Sequence, residues 1–135
     1  MIKEFLALAD NLSEIAPYTE IQTVTAKITE ENFTDILKEA DIVCEAFDTA
    51  ESKAMLVNGV LEQLPGCYLV AASGMAGLGT PNAIRTRRVT KRFYLCGDET
   101  NDVADTIGLV APRVMLCAAH QAHTVLRILA GEYEV

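Results

Sequence analysis

The sequence predicts an α/β fold with a mostly parallel sheet and an antiparallel hairpin extension. Three observations predict it. The apolar runs 42–47 and 67–72 read as buried parallel strands. Helical apolar patterns alternate with them along the chain. A β-rich stretch, 84–96, turns near Thr90-Lys91 and reads as two antiparallel strands. At 135 residues, a single domain spanning 1–135 is expected.

In residues 2–16, Ile2, Phe5, Leu6, Ala9, Leu12 and Ala16 recur at helical spacing, and Pro17 follows as a stop. Met1-Ile2-Lys3 holds no cap residue, so this helix is expected to begin as though something preceded it. Residues 21–26 read as a short strand of mixed polarity. Thr29 is the expected cap of the next helix, with Ile28 stapled against Phe33 and a buried stripe of Phe33, Ile36, Leu37 and Ala40.

The strand 42–47 ends at Asp48, and a helix follows over about 50–64 with Thr49 as its cap. Ala54, Val57, Leu61 and Leu64 are its expected inward face, and Pro65-Gly66 ends it. After the strand 67–72, residues 74–81 form a glycine-rich loop, and 97–107 form a polar, acidic one. The last helix starts near Pro112, a natural first-turn residue. Its apolar positions Met115, Ala118, Ala119, Ala122, Leu126 and Leu129 suit close packing, on the sheet or on a twin helix.

The formal net charge of −8 argues against non-specific binding to nucleic acid or to anionic membranes. The charge is uneven. Arg85, Arg87, Arg88, Lys91 and Arg92 hold five of the eleven basic residues, leaving six against 19 acidic residues elsewhere. This cluster fits an anionic ligand or an acidic tail, and equally a solvated strand face in an acidic protein. Cys44, Cys67, Cys96 and Cys117 form no Cys-x-x-Cys pair, and Cys44 and Cys67 sit in apolar runs as expected reduced core residues. There is no signal peptide and no apolar stretch long enough to span a bilayer, so a cytoplasmic location is the expectation. His120 and His123 lie one turn apart in an apolar helix. Two ligands do not make a metal site, so core or interface histidines are expected.

Asp48 is the most informative residue. It stands at the carboxyl end of a strand, the edge where open α/β sheets bind ligands. A carboxylate there beside a polyphosphate holds Mg²⁺; the plainer reading is a helix N-terminal carboxylate stabilised by the dipole.

The chain from Ala40 to Gly131 resembles the ThiF/MoeB/HesA group of ubiquitin-activating-like adenylyltransferases, with a weaker match back through Ile21. The resemblance rests on the strand ending Ala46-Phe47-Asp48, the helix with Lys53 and Asn58, the strand ending Ala-Ala-Ser73-Gly74, the basic hairpin, and the closing Gly108-Leu-Val-Ala-Pro112 helix. Ala71-Ala-Ser-Gly-Met-Ala-Gly77 with Phe93-Tyr-Leu-Cys-Gly-Asp98 is closest to a short ThiF subfamily of thiamine biosynthesis.

The resemblance implies Mg-ATP-dependent adenylation of the C-terminal glycine of a ubiquitin-fold sulfur carrier, in a protein that is commonly a homodimer. It implies Asp48 as the catalytic, Mg-binding aspartate. Lys53 becomes a phosphate contact, although a solvated lysine is as good a reading. Arg85, Arg87 and Arg88 become residues along the carrier tail. It also implies a doubly wound, Rossmann-like sheet that is incomplete here, lacking the first β-α-β unit.

The departures concern the nucleotide. The family's Gly-x-Gly-x-x-Gly turn is absent, and Gly74, Gly77 and Gly79 have the reverse spacing and precede Thr80-Pro81 rather than a helix. The paired zinc cysteines are absent, so no zinc is expected. The crossover stretch Asn101-Asp-Val-Ala-Asp-Thr106 has no cysteine for a covalent link to the carrier. The chain is expected to be an N-terminally truncated member, inactive alone, with a non-catalytic carrier-docking or dimerisation module as the alternative. A different, NAD-linked nucleotide domain is a third possibility, and the missing glycine fingerprint counts against it. In the strand order 3-2-1-4-5-6 the missing strands lie centrally, so residues 21–26 are expected to pair with residues 41–47 or with another chain.

Overall fold

The computed structural model describes residues 2–135, so the uncapped start at Met1 lies outside the described residues. The elements are α1 (Ile2–Ile15), α2 (Phe33–Leu37), β1 (Ile42–Cys44), α3 (Ala50–Gln63), β2 (Tyr68–Ala72), β3 (Arg85–Thr90), β4 (Phe93–Gly97) and α4 (Ala111–Leu129), with 3-10 turns at Pro81–Ala83 and Val103–Asp105. The strands form one sheet in the order β1-β2-β4-β3. β1, β2 and β4 are parallel, and β3 returns antiparallel to β4 with a register irregularity at Arg88/Thr90. The result is an α/β fold with an incomplete Rossmann-like sheet and an antiparallel extension.

β2 explains the layering. It is apolar along its length because both of its faces are covered, as in the middle of a parallel sheet. Leu69 and Ala71 face Phe33, Leu56, Val60 and Phe93 on the α2–α3 side. Val70 and Ala72 face Tyr94, Cys96, Cys117 and Ile128 on the α4 side. Gly59 of α3 lets the Phe33 ring approach, since a Cβ there would lie 2.6 Å from its Cζ.

Several sequence expectations are corrected. Residues 21–26 form no strand, pair with nothing in the sheet and are exposed apart from half-buried Ile21. Among the described residues, no strand neighbours the outer edge of β1. A strand needs a ladder partner, and mixed polarity without one favours the solvated chain. β1 is shorter than 42–47: it ends at Cys44, although the Glu45 N–H still donates to the Val70 carbonyl at 2.9 Å. Thr29 does not cap α2. Instead Asn32 Oδ1 accepts from the Thr29 N–H at 2.7 Å, and the Thr29 carbonyl accepts from Asn32 and Phe33 in a tight turn. Ile28 does pack on the Phe33 cluster.

The helix faces shift too. α3 buries Leu56, Gly59 and Val60, while Ala54 and Leu61 are exposed. α4 buries Arg113, Cys117, Gln121, Thr124 and Ile128, and its expected apolar face is solvent-facing, with Met115 at 70% exposure. α1 forms as its periodicity predicts, yet Leu6 and Leu12 are exposed, because no layer covers it. Cys44 is exposed because the pleat of an edge strand turns it outward, whereas Cys67, Cys96 and Cys117 are buried. Among the described residues, no helix is long and apolar enough to cross a membrane.

Candidate functional site

A cleft of about 250 Å³ opens where the carboxyl ends of β1 and β2 and the loop after β4 converge. Its lining includes Phe47, Asp48 and Lys53 from the β1–α3 segment, Ser73 and Gly74 after β2, and Glu99 to Asp102 after β4. This is the edge at which parallel sheets present ligand sites. A wider groove of about 650 Å³ lies between α4 and the β3–β4 face, lined by Thr86, His120, His123 and Arg127 among others. There His120 Nδ1 and Thr86 Oγ1 are 2.9 Å apart. The smaller cleft is the better candidate because it combines the strand ends with charged side chains.

Asp48 is exposed at the rim, at the start of α3. Thr49 is extended, with φ −111° and ψ 141°, and its Oγ1 accepts from the Ser52 N–H at 3.2 Å, starting the helix immediately behind Asp48. Lys53 reaches the same cleft one turn later, so the structure brings Asp48 and Lys53 together. Lys53 is not a free cation. Its Nζ lies 2.9 and 3.2 Å from the two carboxylate oxygens of Glu45, whose side chain is wholly buried. Asn58 is exposed on α3.

The hairpin arginines do not form one row. Arg85 and Arg87 share one face of β3, and Arg88 points to the other. Arg87 forms a two-armed pair with Glu99, at 2.9 and 2.6 Å, on the rim of the cleft. This hydrogen bonding, aided by the charges of Arg87 and Arg85, lowers the Glu99 carboxyl below its ordinary pKa in spite of some burial. Glu99 also has φ +62°, uncommon for a residue with a Cβ. Arg88 donates to Glu134 and to the Lys91 carbonyl, and packs over Tyr94 and Tyr133. Arg92 donates to the Gly66 carbonyl and packs over Tyr68.

Three functional-site supports escape sequence reasoning. Glu45 is the first. Asp98 and Arg113 are the others, a buried pair at 3.0 Å. Arg113 also donates to the carbonyls of Ala76 and Thr80, tying the 74–81 loop to α4. Asp98 accepts from the N–H groups of Thr100 and Asn101 and from the Asn101 side chain. Burial opposes its ionised form, but these bonds and Arg113 outweigh it and hold the carboxyl well below the usual carboxylate range. Gly74, at φ +82°, makes room for this loop, since a Cβ there would meet Asp98 Oδ1 at 2.1 Å. Its glycine thus serves the approach of two strand ends. The available signal was an acid in an apolar strand for Glu45, and a charge beside a strand-ending glycine for Asp98.

Cys96 and Cys117 face each other, with Cys117 Sγ donating to the Cys96 carbonyl at 3.4 Å. Burial, with Cys96 nearby, pushes the Cys117 thiol up to about 11. Among the described residues no group of three or more His, Cys, Asp or Glu side chains is arranged to hold a metal ion by itself.

The chain matches the ThiF family over residues 4–135. No curated protein and no solved structure matches it significantly. Proteins of the ThiF family are adenylyltransferases that use ATP with Mg²⁺ on ubiquitin-fold carrier proteins, often as dimers. Since the match takes in the cleft and every sheet strand, this chain belongs to the ThiF family.

Proposed function

We propose that the cleft at the strand ends is the metal-and-phosphate end of a site that adenylates the C-terminal glycine of a ubiquitin-fold sulfur carrier, in a cytoplasmic thiamine-biosynthesis route. The observation that carries this is the placement of Asp48 and Lys53 on one cleft at the carboxyl edge of a parallel sheet. The residues fit that end of Mg-ATP. Asp48 offers one exposed carboxylate that would hold Mg²⁺, an ion that needs few protein ligands when phosphates and water supply the rest. Lys53 places a cation on the same wall.

When bound, Mg-ATP supplies the activated α-phosphoryl group, and pyrophosphate is its leaving group. The chain's own residues do the placing. Asp48 would hold the metal at the cleft rim, Lys53 would offset phosphate charge, and the Arg85 and Arg87 face of β3 would attract the carrier's carboxylate. To meet that carboxylate Arg87 must release Glu99, with which it is paired in the structure. The outer face of α4, with Met115, Leu126 and Leu129 exposed, supports a homodimer.

A specific observation favours a second reading. The cleft of about 250 Å³ is smaller than the usual small-molecule pocket, and the chain has no Gly-x-Gly-x-x-Gly turn for the phosphates. On that reading the chain docks a carrier or a second copy without turnover. Calorimetric titration with Mg-ATP separates the two. Asp48→Ala should weaken binding by roughly tenfold or more, the equivalent of about 1.4 kcal/mol, with stability unchanged within about 0.5 kcal/mol because Asp48 is exposed. No Mg-ATP binding by the unmodified chain, with retained binding of a Gly-Gly-ending carrier, would establish the docking reading.

A further inference from the structure

Glu45 is the one charged residue in the run 42–47. It is buried alongside Val43, and its carboxylate makes four contacts with three donors. Two contacts come from Lys53 Nζ, one from the Phe47 N–H at 2.8 Å and one from the Ala72 N–H at 3.5 Å. Its backbone carbonyl accepts from the buried Gln121 Nε2 at 2.9 Å. β1, β2, α3 and α4 therefore meet at this residue, directly beneath the cleft.

Two consequences follow for the cleft. An ammonium has three donor hydrogens, and Glu45 presents two acceptor oxygens within 3.2 Å of Lys53 Nζ, which leaves donor capacity for the cleft that Lys53 lines. A lysine on its flexible stem would otherwise sample many rotamers, so Glu45 removes that freedom before any ligand arrives. The bond from Phe47 N–H to Glu45 Oε2 also closes the turn immediately before Asp48. One buried carboxylate thus sets both the cation and the backbone that carries the metal-binding candidate.

We propose that Glu45 is a positioning residue, a buried clamp that holds Lys53 Nζ and the Asp48 turn in place for an anionic polyphosphate. This rests on the reading of the cleft as the Mg-ATP end of the site. Two effects of Glu45 have opposite signs. Its negative charge beside Lys53 disfavours an anionic ligand, while its clamping favours one. If charge alone mattered, neutralising Glu45 would tighten anion binding.

The test is Glu45→Gln in the full chain, which keeps an acceptor for Phe47 N–H. Mg-ATP affinity by calorimetry is expected to fall roughly 2- to 10-fold, the factor set by refreezing one long side chain. E45Q/K53M is expected to bind no more weakly than K53M, since Glu45 acts through Lys53. A third arm needs no nucleotide: acylation of the Lys53 amine, followed by mass spectrometry, should quicken in E45Q. Equal or tighter binding in E45Q, or unchanged acylation, overturns the proposal. If the unmodified chain binds no Mg-ATP, the site reading fails, while the acylation arm still decides whether Glu45 clamps Lys53. Should E45Q not fold, the unmodified chain carries the test: a clamped Lys53 ammonium gives a slowly exchanging Nζ proton signal at neutral pH, and its absence refutes the clamp.

Discussion

Arg113→Met tests whether the cleft's far wall is held by charge. Methionine keeps an unbranched apolar stem and removes every donor. The lost bonds are those to Ala76 O at 2.7 Å, to Asp98 Oδ2 at 3.0 Å and to Thr80 O at 3.4 Å. Breaking a buried ion pair costs about 3–5 kcal/mol, because the remaining charge stays buried. Asp98 keeps its bonds from Thr100 and Asn101, so the low end applies, about 3 kcal/mol. At roughly 4 °C per kcal/mol for a chain of this size, Tm should fall by about 12 °C. A thermal melt at pH 7 followed by circular dichroism measures the Tm, and urea unfolding measures the free energy. The acid limb gives a second readout. The folded pKa of Asp98 is depressed, so its stabilisation is complete above its unfolded value of about 3.9 and is lost as pH falls below it. Without Arg113 the depression is smaller, and the fall in stability below about pH 4 should be shallower. The double variant Asp98→Asn/Arg113→Met should cost less than the two singles together, since it leaves no buried charge. A loss under about 1 kcal/mol, or additive singles, would refute the reasoning.

Gly74→Ala should cost about 1–3 kcal/mol by urea unfolding, because φ is +82° and the new methyl meets Asp98 Oδ1. Phe33→Ala should cost about 3–5 kcal/mol in the same assay, since Phe33 is 1% exposed and seats against Gly59. In thiol labelling of the native chain, Cys44 should react promptly and the other three only on unfolding, because they are buried and the Cys117 thiol is pushed up to about 11. Four equally fast thiols would contradict the burial.

The elements with local signals were legible in the sequence. β2 reads from an unbroken apolar run, α3 from Thr49 as a cap after an apolar run, and the hairpin from its β-branched and basic alternation. The failures are non-local. Residues 21–26 have strand composition but no ladder partner, and composition cannot supply one. The inner face of α4 was misplaced because hydrophobicity selects its alanines and leucines. The sheet instead takes Arg113 and Gln121, whose donors answer Asp98 and the Glu45 carbonyl. Asp48 was visible because its place between an apolar run and a helix start is a one-dimensional fact. Glu45, Asp98 and Arg113 were not, because each is informative only through a partner 8 to 37 residues away.

Those partners also explain how the cleft stays open. Its two flanks each rest on an ion pair, half-buried Glu45–Lys53 behind β1 and buried Asp98–Arg113 behind β4, with Ser73 and Gly74 between them. Desolvating two charges on each flank is costly, and apolar residues of the same volume would often stabilise a fold as well or better. Apolar side chains would, however, collapse into whatever space was offered, since packing is non-directional. Each carboxylate here instead fixes backbone N–H groups at stated distances: Phe47 on one side, Thr100 and Asn101 on the other. Both pairs therefore act on the turns that present Asp48 and Glu99 to the cleft, the one exposed and the other held by Arg87. A chain selected for stability alone has little reason to bury three charges, Glu45, Asp98 and Arg113, at one edge of a four-stranded sheet. One that must hold a carboxylate and an ammonium a fixed distance apart has a direct one.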